Sequence, residues 1–373
     1  MARHGVYREP AGPCSACDGK WGQPKSKFEK EVVMPVPQPF KRLGLSVPVF
    51  QAPIGAIASV ELAAAISQAG GLGHLACTWR SPDQLRDLFR AMRAVTERPF
   101  GANFVLDFPI DERLGIALEH GVRAISFFWG DGSAHLRRVQ AAGAVAIQVV
   151  GSIDEAKRAA DAGFDLIVAQ GREAGGHVRG HLGTMTLVPQ VVDAVASLPV
   201  LAGGGIVDKR GVAAALSLGA AGVWVGTGFL AAREANIHAD YQQRVLAASA
   251  DDTLYSQLFD IGWPNAPLRS LKNSTTARWE QAGCPPAPDR PGEGDIVARR
   301  PDGTGIPRYF FGSPTRDIEG EAEAMALYAG EGVGLVRSIE PAAVIFQELA
   351  TAIARARENE SAADVTSTSA TLS

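Results

Sequence analysis

The sequence predicts an α/β fold, a (β/α)8 TIM barrel with a smaller appended lobe near the C-terminus. Three observations predict it. Short apolar runs, each followed by a segment of helical spacing, alternate eight times within residues 41–238. The runs are continuous rather than alternating, as parallel strands buried on both faces require. One of them, at 164–169, empties into Gln170-Gly-Arg-Glu-Ala-Gly-Gly-His177, a glycine loop presenting an amide and an imidazole where such barrels build their sites. An open doubly wound sheet is the alternative. Eight units favour closure, because open sheets usually hold fewer strands.

Taken in order, residues 1–40 are rich in Pro, Gly and Lys without periodicity and read as an irregular extension. They carry Cys14-Ser-Ala-Cys17. A zinc site needs four ligands and no second pair occurs, so an incidental pair outweighs a metal or redox site. The strand runs then start near Val47, Leu72, Pro99, Arg123, Ala144, Phe164, Pro199 and Gly222. Helix starts are marked by Ser59, by Ser81-Pro82 with Gln84, and by Ser152 with Glu155 as a capping box. Gly70, Gly121, Gly143, Gly163 and Gly219 sit where those helices should stop. After about Ala235 the rhythm fails. Residues 239–315 combine a helical piece at 241–249 with a Pro/Gly/Arg-rich stretch and read as a smaller cap lobe over the barrel's C-terminal face. Within 316–358, helical segments at 319–328 and 341–357 return to the barrel wall, and the Ser/Thr/Ala tail 359–373 reads as disordered.

Of 373 residues, 46% are apolar and 20% charged, enough to bury a sizeable core. The net charge of −4, with no basic block, argues against nucleic acid or an anionic membrane as partner. No apolar run approaches a membrane span, and no signal-peptide core is visible. Four cysteines make no disulfide framework at this length, so a cytoplasmic protein with reduced thiols is expected. A homodimer is left open.

Two glycine clusters end the last barrel strands, Gly203-Gly204-Gly205 and Gly226-Thr227-Gly228. Glycine alone lets several backbone N–H groups converge on an anion, and the loops after strands seven and eight commonly hold a phosphate. Either cluster by itself would be an ordinary turn; together, with the Thr227 hydroxyl, they predict a phosphate site. Asn103, Gln148 and Gln170 are amides in or at the end of apolar strands, where an unpaired amide costs a few kcal/mol. A neighbouring backbone is one partner for them. The other is a flat heteroaromatic ring such as a flavin, with Ala52, Pro53 and Ile54 after strand one lining it. A lone histidine is usually structural; His177 follows directly on Gly175-Gly176 and is assigned function, whereas His181 is assigned to the loop. No Gly-x-Gly-x-x-Gly fingerprint follows strand one, so a mononucleotide is expected in preference to a dinucleotide.

These residues carry a resemblance. Gln51-Ala-Pro-Ile, Gly101-Ala-Asn-Phe104, Gln148-Val-Val-Gly-Ser152, Gln170-Gly-Arg-Glu-Ala-Gly-Gly-His177, Gly204-Gly-Ile206 and Gly226-Thr-Gly-Phe-Leu230 together resemble the nitronate monooxygenase family, formerly called 2-nitropropane dioxygenases. The resemblance spans roughly residues 47–235. It implies an FMN-dependent barrel that oxidises alkyl nitronates with O2 to a carbonyl compound and nitrite. It further implies that Asn103, Gln148, Gln170, Gly175 and Gly176 contact FMN, that Gly204, Gly205, Gly226 and Thr227 hold its phosphate, and that His177 is catalytic. No metal is implied. The chain departs from the family pattern in placing Val178-Arg179 between His177 and Gly180, where one residue is usual, and in its third phosphate-turn glycine, Gly203. The N-terminal forty residues and the Pro-rich lobe have no counterpart in the pattern.

Two readings compete. A flavin-dependent NAD(P)H enoyl reductase of fatty-acid synthesis shares the barrel and a similar loop, and would need a surface for an acyl carrier protein. A non-catalytic flavin-binding protein would bind the cofactor without turnover. The related nucleotide dehydrogenases need a cysteine in the loop after strand six, and residues 171–186 contain none.

Overall fold

The computed structural model describes residues 36–370, with side chains as far as residue 356. Cys14, Cys17 and residues 1–35 of the expected extension lie outside the described residues. Eight parallel strands form one sheet: β1 Val49–Gln51, β2 His74–Ala76, β3 Gly101–Val105, β4 Ala124–Phe128, β5 Val145–Val150, β6 Leu166–Gln170, β7 Val200–Gly203 and β8 Gly222–Val225. β8 pairs with β1, Trp224 opposite Phe50. Closure comes from Leu72, two residues before β2: its N–H donates to the Val49 carbonyl (3.1 Å) and its carbonyl accepts the Gln51 N–H (2.9 Å). The eight strands thus make the barrel that the count of units predicted.

Each strand has two buried faces, which is why its apolar run is continuous. In β5, Val145, Ile147 and Val149 point into the barrel with Leu166, Val168, Leu201 and Trp224. Ala146 and Val150 face the surrounding helices. A short helix, α1 Gln38–Arg42, and its C-cap Leu43 add Phe40 and Leu43 to the interior. Arg42 pairs with Asp165 (2.5 Å) and donates to the Ala144 carbonyl (2.9 Å), so α1 covers the end where the strands begin. The opposite end is left for a site.

Helices α2 Val60–Gln68, α3 Pro82–Val95, α4 Asp111–Glu119, α5 Leu136–Ala141, α6 Ile153–Ala162, α7 Thr184–Val195 and α8 Lys209–Ser217 form the outer ring. Ser59 caps α2 through the Leu62 N–H, and Ser81 with Gln84 closes a full capping box on α3. At α6, Ser152 accepts the Glu155 N–H, but the Glu155 carboxylate takes the Gly151 N–H (2.8 Å) and pairs with Arg179 (2.8 Å). The expected capping box is therefore half formed, its carboxylate spent on the strand end and the loop after β6.

The eighth helix does not follow β8. A 3-10 turn, Thr227–Ala231, leads instead into the lobe through α9 Ala239–Ala247. The wall position between α8 and α2 is filled by α11 Ala342–Ala370, whose Phe346, Leu349 and Ile353 are buried. A Cβ on Gly71 would lie 2.4 Å from the Phe346 ring, so that glycine admits the helix. The α11 backbone continues through the expected disordered tail to Ala370, in keeping with the Ala, Arg and Glu content of its run 350–363.

The lobe is built on β9 Thr253–Ser256, β10 Leu268–Leu271, α10 Ser274–Gln281, β11 Ile296–Arg299 and β12 Gly305–Pro307. The segment 319–328, expected to be helical, forms the two-residue strand Glu319–Gly320 and a 3-10 turn at Ala322–Ala324. Its carbonyls are claimed from outside. Asn273 Nδ2 donates to those of Glu323 and Met325 (both 2.8 Å), and Thr275 Oγ1 to that of Ala324 (2.6 Å). A helix would need the same carbonyls internally. No described helix is long and apolar enough to cross a membrane.

Candidate active site

One cavity of about 360 Å³ opens at the C-terminal ends of the strands and runs under the lobe. That volume falls in the range of small-molecule and cofactor sites. Its floor is apolar, formed by Ala76, Val149 and Trp224. Ala52, Pro53, Ile54, Asn103, Gln170, Gly175, Gly176, His177, Gly204, Gly205, Gly226 and Thr227 all line it. Twelve residues selected on separate segments of the sequence are thus brought to one space.

Gln148 is not among the lining residues. It shares the outward face of β5 with Ala146 and Val150, so its side chain lies between strand and helix layer. Its Oε1 accepts the Gly132 N–H (3.1 Å), and its Nε2 donates to the carbonyls of Gly130 (3.0 Å) and Phe127 (3.3 Å). The expected ring contact is corrected to a tether for the loop after β4, and Val149 takes the cavity position. The neighbouring-backbone partner, not the ring, satisfies this amide.

Asn103, on the inward face of β3, donates through Nδ2 to the Ser126 hydroxyl (3.0 Å) and carbonyl (3.3 Å). Gln170 donates through Nε2 to the His177 carbonyl (3.2 Å), while its Oε1 is buried without a partner among the described residues. That oxygen is an acceptor waiting for a donor in the cavity.

Gly204 and Gly205 take φ of +105° and +71°, conformations open chiefly to glycine. A Cβ on Gly204 would lie 3.0 Å from both the Gly171 carbonyl and Thr184 Oγ1. Thr227 Oγ1 accepts the Gly330 N–H (3.0 Å), which leaves the hydroxyl proton to donate. Gly175 is needed for close approach, since a Cβ would sit 2.4 Å from the Gly330 nitrogen. Gly176 has φ +74° and nothing within 4 Å of a notional Cβ. A side chain there would enter the cavity.

The loop carrying His177 is held as a strand of the lobe. Gly176 and His177 pair with Arg269 and Leu268 of β10, and the Val178 N–H donates to the Pro267 carbonyl (2.9 Å). Buried Arg269 donates to the Arg172 carbonyl (3.2 Å) and pairs with Glu331 (2.8 Å). The Glu331 N–H in turn takes the Glu173 carbonyl (2.9 Å), and the Glu173 carboxylate binds the Thr184 N–H.

His177 itself is 9% exposed, and its Nε2 is buried with no hydrogen-bond partner among the described residues. Trp263 stacks on the ring at 3.9 Å between centroids, fixed by its Nε1–H bond to Asp107 (2.9 Å). Trp129, Tyr328 and Phe311 approach edge-on at 6.0, 5.5 and 6.4 Å. Burial lowers the imidazole pKa to about 3, so the ring is neutral across the physiological range. His181 is exposed, as its assignment to the loop implied.

No periodic pattern in the sequence marks the aromatic enclosure. Trp129, Trp263 and Phe311 lie on aperiodic loops, and the one available signal was aromatics next to glycine, Trp129-Gly130, Gly262-Trp263 and Phe311-Gly312. A second buried histidine, His74, sits in the barrel interior against Trp224 (4.6 Å), with the Leu72 backbone as a polar neighbour.

The family model described as nitronate monooxygenase matches residues 39–112 and 107–352. A nitronate monooxygenase of Pseudomonas aeruginosa is 31% identical over 82% of this chain and 96% of its own length. A Mycobacterium tuberculosis protein named (3aS,4S,5R,7aS)-5-hydroxy-7a-methyl-1-oxo-octahydro-1H-indene-4-carboxyl-CoA dehydrogenase is 38% identical, but the match spans 61% of this chain and 64% of that relative. Among solved structures, FabK from Thermotoga maritima superimposes with a TM-score of 0.74 at 28% identity, covering 87% of this chain and 98% of that one. Nitroalkane oxidase from Streptomyces ansochromogenes gives 0.70 at 27% identity, covering 86% and 99%. With the family pattern matched across barrel, glycine loop and lobe alike, the chain belongs to the nitronate monooxygenase family of oxidoreductases.

Proposed function

We propose that the protein oxidises alkyl nitronates with O2 to a carbonyl compound and nitrite, using FMN. Family membership implies a flavin, and the cavity's own groups fit one. Gln170 Oε1 is an orphaned buried acceptor suited to a ring N–H, and Gly176 leaves open space where any other residue would put a side chain. Gly204, Gly205, Gly226 and Thr227 would hold one phosphate, which favours FMN over a dinucleotide. Bound flavin would supply electron acceptance and the reaction with O2.

The chain's own groups supply position and proton handling. The observation that carries the reading is His177: a neutral imidazole in an aromatic enclosure, whose buried Nε2 has no hydrogen-bond partner among the described residues. Nε2 accepts the α-proton of a neutral nitroalkane, a step that a pre-formed nitronate does not need. Trp263 holds the ring plane through its stack and its bond to Asp107. Asn103 and Gln170 orient the flat group beneath, and the apolar floor and aromatic walls exclude water.

A second reading is favoured by the dehydrogenase relative, which acts by its name on a carboxyl-CoA compound. One experiment separates the two. Purified protein is mixed anaerobically with a nitronate, an acyl-CoA, NADH or NADPH, and the flavin absorbance is followed. Bleaching by the nitronate, with FMN as the extracted cofactor, is expected. Bleaching by an acyl-CoA or a nicotinamide alone, or extraction of FAD, would overturn the reading.

A further inference from the structure

The cavity does not end at the barrel mouth. It continues along the lobe, where Ile306, Ile318 and Met325 form an apolar cluster with Phe310 packed against it. Arg300 lines this arm. Its guanidinium lies over the Phe310 ring, 5.4 Å from the centroid, and forms no hydrogen bond or salt bridge with a described residue. The acid two residues on, Asp302, turns its carboxylate to the Thr304 N–H (2.9 Å). Asp302 and Arg300 attract each other but form no hydrogen bond or salt bridge, so the lobe sets an exposed cation, unpaired by contact among the described residues, at the end of an apolar wall.

An apolar molecule alone would cover the wall and leave the cation as it is; a small anion alone would find the cation and no wall. A molecule with both parts uses both. Its apolar body loses water against Ile306, Ile318 and Met325, each buried methylene contributing about 0.8 kcal/mol. Its anion meets a planar guanidinium whose exposure keeps the desolvation penalty small. We propose that Arg300 and the lobe arm form a recognition subsite for an elongated apolar substrate bearing a carboxylate at the end remote from the reacting carbon. The inference deepens the nitronate reading of the same site and rests on it for the reacting end. Small unsubstituted nitroalkanes would reach His177 without using this arm.

The test uses the flavin-loaded full chain and two matched probes, octanoate and 1-octanol, followed by flavin absorbance and tryptophan fluorescence. The variant Arg300→Met keeps an apolar stem and removes the charge. Octanoate is expected to bind about 5- to 10-fold more tightly than 1-octanol, a preference weakened by salt. Arg300→Met is expected to abolish that preference while leaving flavin content unchanged. Kinetics of an 8-carbon nitronate with and without a terminal carboxylate should show the same preference in kcat/KM. Equal binding of the two probes, or a preference that survives Arg300→Met, would overturn the proposal. Loss of flavin in Arg300→Met would also overturn it, assigning the guanidinium to the cofactor phosphate. If octanoate is preferred but no nitronate is turned over, the subsite stands and the nitronate reading falls.

Discussion

His177→Asn tests how the buried imidazole works. A neutral nitroalkane must lose its α-proton before it can be oxidised, whereas a pre-formed nitronate has lost it already. With a pKa near 3, about one ring in 10⁴ is protonated at pH 7, so His177 brings no positive charge to the ground state. As a base at Nε2 it is wholly in its neutral, accepting form, although burial also makes it a weaker proton acceptor than a free imidazole. The substitution should therefore lower kcat/KM on the neutral nitroalkane by roughly 10²–10⁴-fold while largely sparing the nitronate. Flavin content, measured first, should be unchanged, because asparagine keeps a polar group of similar size. The pH profile carries the sign. A base works in its neutral form, so activity falls as pH drops through its pKa, and in the native enzyme that limb lies near 3 rather than 6.5. Trp263→Ala removes the stacked ring and admits water, which moves the pKa up towards its ordinary value. The limb should then enter the range pH 5–7, with about a 30-fold loss between pH 8 and pH 5. Native activity that falls through pH 6.5, or full activity of His177→Asn on the neutral form, would refute the reasoning.

Two further predictions follow from buried polar groups. Gln148→Ala removes the partner of the Gly132 N–H and should cost about 1–3 kcal/mol in urea unfolding while leaving flavin affinity intact; flavin loss without destabilisation would restore Gln148 to the cofactor site. His74 has its pKa lowered by burial to about 3, a Leu72 backbone contact offsetting part of the shift, so below pH 6.5 the unfolded state takes up the proton first. Stability should fall progressively from about pH 6.5 towards pH 3, and at pH 4.5 His74→Leu should lose about 2–3 kcal/mol less than the native chain, relative to pH 7.5. An identical acid limb in both would show that His74 is protonated in the fold.

The barrel and most of the candidate site were legible because each rests on local chemistry. Continuous apolar runs, the cap serines Ser59 and Ser81, and the φ-permissive Gly204 and Gly205 state their conformations within a few residues. The Gly175-Gly176-His177 loop likewise announced a close backbone approach beside a titratable group. What only tertiary structure decided turns on which face a residue takes and which distant segment meets it. Gln148 and Val149 are adjacent in sequence, and a strand's two-residue period sends one to the helix layer and the other to the cavity. The amide pattern alone could not say which. The segment 319–328 has helical spacing, yet Asn273 and Thr275, about fifty residues earlier in the chain, take its carbonyls. The eighth wall helix arrives from residue 342 onward, because the chain leaving β8 is drawn into the lobe that also pairs with His177. Likewise Trp129, Trp263 and Phe311 come from three unconnected loops, and the imidazole they enclose is neutral through burial, a property that exists only once the chain has closed around it.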